Sequence, residues 1–406
     1  MKRASACFVL SFLVCLLATA SVVQAGGFAL YEWGNRALGM GTANYATGDD
    51  ASVIAYNPAL MTKLDGTTNL YGGVTAVSPN SDVYINGQKN QTQNQIFGVP
   101  HAFATRKLND DWTIGVGVFT RFGLGTNYDN NWAGRTLVKD ALLETFSLNP
   151  SVAYKVNDKL SIAGGVEVIK GRFIVHKDIP VAALGGNVKT DVSDTALAFN
   201  LALAYDVNDM LTVGLTYRSP VHFEGQGSVE VANAGFYANG KGDCTMTADF
   251  PASYTVGVGL TPLDDLTVEF DVVYTQWEQF DRIEFDFTGS GLPDNNQDFN
   301  YKSTWRFQLG AEYRFTDEFA LRAGYVYDQT PIRHEYCSPM LPANDRQMFT
   351  LGAGYKWDDW TLDVAGMYII TKERTGLSMT DKASTFDVDF KHGRTWGVGT
   401  SIGYSF

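Results

Sequence analysis

Histidines, cysteines and clustered acids are where chemistry usually shows first, and here they are dispersed. The chain carries His101, His176, His222, His334 and His392. None stands at metal-ligand spacing from another His or from a Cys, so no metal is expected. His176 lies two residues before Asp178 and reads as an exposed loop pair. The stretch "LPDNNQD" (292–298) is rich in Asp and Asn but lacks the ligand order and closing Glu of a calcium loop, and reads as an ordinary turn. No Gly-rich phosphate loop followed by Lys occurs, so no nucleotide cofactor is expected. These absences argue for a non-enzyme, the alternative being a barrel hydrolase whose catalytic groups are scattered across strands. Cys244 and Cys337 are the two cysteines left once an N-terminal leader is removed, and with export they are expected to form a disulfide.

The leader is residues 1–25. Lys2 and Arg3 precede an apolar stretch from Ala6 to Ala18, and Val23-Gln24-Ala25 is a small-residue cleavage site, as in a secretory signal peptide. No later stretch is apolar enough for a membrane-spanning helix, which needs roughly 20 such residues. Yet the chain holds 20 Tyr, 25 Phe and 41 Gly, which in an exported protein invites a membrane barrel. A net charge of -13 argues against nucleic acid as a partner.

Alternation carries the fold. In Arg394–Phe406, Trp396, Val398, Thr400, Ile402, Tyr404 and Phe406 share one face, and Gly397, Gly399, Ser401, Gly403 and Ser405 the other. The same code recurs in "STWRFQLGAEYRF", "FALRAGYVYD" and "TLDVAGMYII". A soluble sandwich also alternates. Three features favour an all-β transmembrane antiparallel barrel: aromatics near the ends of the apolar faces, short acidic turns (Asn109-Asp110-Asp111, Asn157-Asp158, Asn208-Asp209, Asp264-Asp265, Asp317-Glu318, Asp358-Asp359), and much longer segments between them. Strands are expected to start near Thr68, Gln95, Trp112, Glu144, Leu160, Asp194, Leu211, Ala248, Leu266, Ser303, Phe319, Arg346, Thr361 and Arg394. The even total, about fourteen, suits a bacterial outer-membrane barrel over 67–406. Charge on the lipid face would be costly, about 2–4 kcal/mol for an arginine near the midplane. Arg218, Glu269, Asp271, Arg306, Glu312, Arg314, Arg322 and Asp363 should therefore point into the lumen.

Residues 26–66 do not alternate. They are Gly- and Ala-rich, with helix-like patches at Ala51–Tyr56 and Pro58–Lys63, and Asn57-Pro58 by itself reads as a turn. A barrel of this size leaks unless filled, so this segment is expected to be a plug, or hatch, inside it.

The sequence resembles the FadL/TodX-type outer-membrane transporters of long-chain fatty acids and other hydrophobic compounds. The resemblance rests on Gly27-Phe28-Ala29-Leu30-Tyr31-Glu32, Asp49-Asp50-Ala51, Asn57-Pro58-Ala59, Phe122-Gly123-Leu124-Gly125-Thr126, Trp132-Ala133-Gly134, Tyr217-Arg218-Ser219 and the terminal strand. It implies a fourteen-stranded barrel with an N-terminal hatch, working as a monomer in outer-membrane lipid without cofactors. Hydrophobic small molecules would enter through outer loops, rest in a luminal pocket and leave through the barrel wall. The resemblance places that lateral opening at Phe122, Gly123, Leu124 and Gly125, and a hatch hinge at Asn57, Pro58 and Ala59. A carboxylate ligand would want a cation in a dry lumen; Arg218, Arg306 and Arg322 are candidates, unless each only pairs with a luminal acid. An uncharged hydrocarbon would need only apolar contacts such as Phe28, Leu30 and Trp33. Segments 123–143, 173–193 and 232–247 are expected as outer loops, with the apolar patches "IPVAALGG" (179–186) and "VANAGFYANG" (231–240) as a capture groove. Aromatic-hydrocarbon uptake and a general porin for polar solutes are the alternatives.

Overall fold

The structure is a computed structural model and describes residues 27–179, 186–232, 240–380 and 384–406. The expected leader, residues 1–25, and, but for their end residues, both apolar loop patches lie outside the described residues. Among the described residues fourteen long strands close on themselves. They are β1 (Thr68–Ile85), β2 (Phe97–Lys107), β3 (Trp112–Phe119), β4 (Asp140–Lys155), β5 (Leu160–Asp178), β6 (Asn187–Asn208), β7 (Leu211–Arg218), β8 (Ser253–Leu263), β9 (Leu266–Thr275), β10 (Thr304–Arg314), β11 (Phe319–Asp328), β12 (Arg346–Trp357), β13 (Trp360–Thr371) and β14 (Thr385–Ser405). Each pairs antiparallel with the next, and β1 with β14 closes the ring through Asn69↔Ser405, Val74↔Thr400 and Asn80↔Arg394. Apart from one break between β2 and β3, closure leaves no strand edge to face hydrocarbon, which offers no hydrogen bonds.

The alternation read in the sequence is the alternation of the wall. Leu309 is 47% exposed on β10 while its neighbour Gln308 is 0% exposed. Val398, Leu351, Leu201 and Phe270 are likewise outward and exposed, and Arg218, Glu269, Asp271, Arg306, Glu312, Arg322 and Asp363 are inward and buried. Arg314 reaches the rim, where it meets Glu312 and Asp49. Aromatic pairs band both ends of the apolar belt: Tyr217–Tyr254 and Tyr274–Trp305 at one, with centroids 4.9 and 4.7 Å apart, and Trp112–Tyr154 and Trp360–Tyr404 at the other, 4.6 and 4.5 Å apart. Such rings favour the headgroup level. The short turns are closed by their own side chains. Asn109 Oδ1 accepts from Asp111 N and Trp112 N, and Asn157 Oδ1 from Lys159 N and Leu160 N, at 2.9–3.0 Å.

Several strands outrun the sequence reading. β6 starts at Asn187 rather than Asp194, and β14 at Thr385 rather than Arg394. Most of 173–193 is therefore hairpin stem, and 232–247 belongs largely to a further hairpin, Val221–Ala232 with Gly240–Phe250. Beyond the membrane the backbone ladder continues but the apolar code stops, since the outward face there meets water. Arg172 and Asp191 pair across one such stem at 2.6 Å. His176 likewise takes Asp140 across its ladder, at 3.0 Å, rather than Asp178.

The expected disulfide is not formed. Cys244 and Cys337 are free and buried. Cys244 is fixed in register between Gly227 and Phe287. Cys337 lies beside Tyr128 and Tyr301 in the loop after β11, where burial pushes its thiol up to about 11.

Residues 27–64 are almost wholly buried within the ring. They contain α1 (Asn35–Gly39), which the sequence reading did not anticipate, and α2 (Val53–Tyr56) and a 3₁₀ turn over Pro58–Lys63, at the patches that the sequence suggested. Small residues on the inner wall make room for them. A Cβ on Gly352 would lie 2.8 Å from Gly39 Cα, and one on Gly324, Gly310 or Gly214 would strike the backbone of Gly41, Met40 or Tyr45. Gly352→Val should therefore overpack the interface by about 1–3 kcal/mol. We expect the variant to insert as a barrel yet admit more of a small polar solute in liposome swelling. Denatured without reductant, the protein should also yield Cys244 and Cys337 as two titratable thiols, with gel mobility indifferent to reductant.

Candidate functional site

The site is built around an interruption of the wall. β3 pairs with β4 as far as Phe119↔Ser147, and the ladder to β4 resumes at Gly123↔Glu144 in a short strand, Gly123–Asn127. The chain thus gains one residue on β4, as in a bulge. Thr145 fills the break, its Oγ1 donating to Phe122 O at 2.7 Å and accepting from Phe122 N at 3.1 Å. On the other side, β2 pairs with β3 only from Ala102↔Val118 downward. Phe97–His101 pair with β1 alone, so no ladder joins them to Phe119–Asn127. A bond from Gln93 N to Asn127 O, 2.8 Å, spans the top of this lateral gap.

The start of the buried N-terminal segment covers the break from inside. Gly27 adopts φ +72 where a Cβ would lie 2.5 Å from the Trp277 ring, so the tight turn into the lumen suits glycine. Phe28 O then accepts from Gly123 N at 2.7 Å, and Leu30 N donates to Arg121 O at 2.9 Å. Trp33 Nε1 donates to Thr120 O at 2.7 Å. Thr120 O, Arg121 O and Gly123 N, which β3 leaves free at its interruption, are thus taken by the segment 28–33.

Two cavities adjoin there. The first is a narrow space lined by apolar side chains: Phe28, Leu143, Phe173, Met246, Phe250, Phe280, Ile283, Phe299, Tyr301, Met340 and Leu341. Its roof is tied down by Tyr128 OH to Pro339 O, 2.9 Å, and Thr126 Oγ1 to Met340 O, 2.9 Å. Phe28 sits among Trp277, Phe280, Phe250 and Phe122, with centroids 4.7–5.9 Å away. The second is a narrow cleft between Ala29, Leu30, Tyr31 and Trp33 on one side and Arg121, Phe122, Arg218 and Thr275 on the other. Here the polar groups converge. Arg218 Nη1 donates to Glu167 Oε2 at 3.0 Å, and its Nη2 to the carbonyls of Ile54 and Ala55 at 3.2 and 2.5 Å. Arg121 Nη2 donates to Ser219 O and Pro251 O at 2.9 and 3.2 Å, while its Nη1 stands 3.6 Å from the same Glu167 oxygen. A small apolar chamber thus lies beside a chamber with two guanidiniums, and the second borders the break through Arg121 and Phe122.

A sequence model of the family described as outer membrane protein transport protein (OMPP1/FadL/TodX) matches residues 16–406. The chain belongs to this family. Its similarity to outer membrane protein P1 of Haemophilus influenzae is 28% identity over 417 residues, covering 88% of this chain and 90% of the relative. The long-chain fatty acid transport protein of Escherichia coli (strain K12) is 25% identical over 436 residues, 94% of each chain. In fold it matches a Pseudomonas aeruginosa FadL homologue with TM-score 0.83 at 22% identity, over 94% of this chain and 100% of that one. The Pseudomonas putida toluene transporter TodX matches with TM-score 0.75 at 18% identity, over 93% and 99%.

Within this FadL/TodX-type barrel, the anticipated ligand residues divide. Phe28 lines the first chamber, and Leu30, Trp33 and Arg218 the second. Arg306 and Arg322 are committed elsewhere. Arg306 bonds Asp328 at 2.9 Å and Thr42 Oγ1 at 3.2 Å. Arg322 bonds Glu312 at 2.6 Å and Asp363 at 2.5 Å, toward the end with the short turns. Phe122–Gly125 lie at the break, which itself centres on Thr120–Phe122. Arg121 and Glu167 escaped notice. Arg121 interrupts an apolar run, and Glu167 sits in "AGGVEVIKG", where β5 should carry either an inward charge or none; those were the available signals.

Asn57 is fully buried and holds three partners. Its Nδ2 donates to Tyr45 O and Leu203 O at 2.6 and 3.1 Å, and its Oδ1 accepts from Ala59 N at 3.1 Å. It therefore joins two parts of the inner segment to strand β6. Removing a side chain that satisfies buried groups costs about 1–3 kcal/mol for each group stranded. Asn57→Ala is expected to leave the barrel assembled at normal surface level while cutting uptake severalfold. Unimpaired uptake at equal surface level would remove the role proposed for this residue.

Proposed function

We propose that the protein carries long-chain fatty acids inward across the outer membrane by passive movement. The reading rests chiefly on one observation: two buried arginines share a single glutamate beside an apolar chamber, at a break in the wall. An acyl chain gains about 0.8 kcal/mol per CH₂ removed from water, so a water-filled pore is a poor route and a chain of oily contacts a good one. The ligand is caught among the outer loops and passes its tail into the Phe28 chamber. Its carboxylate meets Arg121 and Arg218 in the second chamber. It leaves sideways between β2 and Thr120–Gly125 into the bilayer. Residues 27–66 act as the hatch, and Asn57-Pro58-Ala59 is its hinge. One chain contains both chambers and the gap, so the working unit is a monomer, and no bond of the cargo is made or broken.

Uptake of neutral aromatic hydrocarbons is the second reading, favoured by the wholly apolar lining of the first chamber. It gives the two arginines no ligand. A general porin would need an open lumen, which the buried inner segment occupies.

The deciding experiment is uptake of labelled oleate and labelled toluene by a strain lacking its own transporter. Saturable oleate uptake that depends on this protein is the expected outcome. Toluene uptake with no effect on oleate would replace the first reading by the second.

A further inference from the structure

Three charges meet at the second chamber, and they do not cancel. Arg121 and Arg218 both face Glu167 Oε2, at 3.6 and 3.0 Å, and all three side chains are buried. Tyr31, Trp33 and Thr275 complete the chamber without adding an anion. The Nη2 donors of both arginines are spent on backbone carbonyls: Ile54 and Ala55 for Arg218, Ser219 and Pro251 for Arg121. Arg121 and Arg218 line the chamber, and their shared acid Glu167 lies against both. Arg121 Nη1 lacks a hydrogen-bonding partner, Glu167 Oε1 lacks one too, and Arg218 Nη1 is held by Glu167 alone. Two cations against one carboxylate, out of water, form a seat for a second carboxylate.

Glu167 therefore occupies, with the same functional group, the position that a fatty-acid headgroup would take. We propose that Glu167 is a displaceable internal counter-ion: an anionic amphiphile binds by taking over Arg121 Nη1 and Arg218 Nη1 from Glu167, and leaves when Glu167 reclaims them. The proposal rests on the fatty-acid reading above and assigns Glu167 a positioning role, acting through the two arginines. Its logic is that of any conduit, where binding must be favourable enough to admit and weak enough to release. A seat of two bare guanidiniums in a dry site would trap a carboxylate. A resident carboxylate lowers the net affinity, and the apolar tail is left to decide which anions enter. Neutral ligands feel none of this, so the device acts only on charge.

The test compares oleate with oleyl alcohol, which share a tail and differ in head, by equilibrium binding to the protein in lipid nanodiscs. Glu167→Gln keeps the shape and removes the competing charge. We expect oleate to bind about tenfold more tightly and oleyl alcohol to stay within about twofold. Maximal oleate uptake by cells should fall as release slows. Arg121→Gln should do the reverse, weakening oleate about tenfold and sparing the alcohol. It decides the matter should Glu167→Gln not assemble. The proposal is overturned if Glu167→Gln leaves oleate affinity unchanged or weaker, or if either variant shifts both probes together. Wild-type protein that binds no oleate would sink the fatty-acid reading and this proposal with it. Wild-type binding without a charge-dependent gain in Glu167→Gln would sink this proposal alone.

Discussion

Hydrocarbon accepts no hydrogen bond, and the backbone of this protein is arranged around that fact. Fourteen strands satisfy their amides by pairing in a ring, with β1 and β14 as the closing seam. The same demand reappears inside. Where β3 breaks, its free groups at Thr120, Arg121 and Gly123 do not face lipid; Trp33, Leu30 and Phe28 take them. The N-terminal segment thus serves the wall as a short surrogate strand as well as filling the lumen. A gap in the wall and a satisfied backbone at the break coexist because the two lie on different sides of it: open toward β2, paired toward β4 and the interior.

Charge obeys the same constraint with the opposite placement. The lumen holds ion clusters that the outer face could not bear. Arg36, Glu312, Arg322, Asp363 and Asp49 form one, with Tyr71 OH reaching Asp363 at 3.1 Å and Arg36 N reaching Tyr71 OH at 3.1 Å. Asp328 between Arg306 and Arg346 forms another. Glu269 spends its oxygens on the amides of Tyr45, Ala46 and Thr47. Buried pairs of this kind add little net stability against an apolar alternative, but breaking one partner is costly. Their value here is registry. Each cluster joins a strand to one stretch of the inner segment, so the segment can sit in only one way.

The period-two code made the architecture legible. It depends on two solvents meeting one strand, and "STWRFQLGAEYRF" records both of them residue by residue. The inward charges followed from the cost of the alternative. What the code could not show is where the membrane ends, because the ladder runs on after the apolar face turns polar, as in β5, β6 and β14. Cys244 and Cys337 misled for a related reason. Sequence gives their number but not their placement: Cys244 is fixed in a ladder and Cys337 sits in a loop beside Tyr128 and Tyr301. The site was half legible. Phe28, Leu30, Trp33 and Arg218 line the two chambers, whereas Arg306 and Arg322 pair with luminal acids. Arg121 was invisible because its position is an irregularity; a bulge obeys no period, so the alternation that identifies a luminal residue elsewhere is silent there.

That irregularity ties the hatch to the opening. Arg121 supplies a carbonyl to Leu30 and a guanidinium to the Glu167 cluster, while Arg218 joins the same cluster to the carbonyls that end α2. The wall break, the chamber and two separate parts of the N-terminal segment thus converge on two side chains. A ligand that draws on those guanidiniums bears on the hatch and the break at once, without any long chain of intervening contacts. Coupling between headgroup and exit then needs only side-chain exchange in one buried cluster, with the barrel around it held still by its own closure.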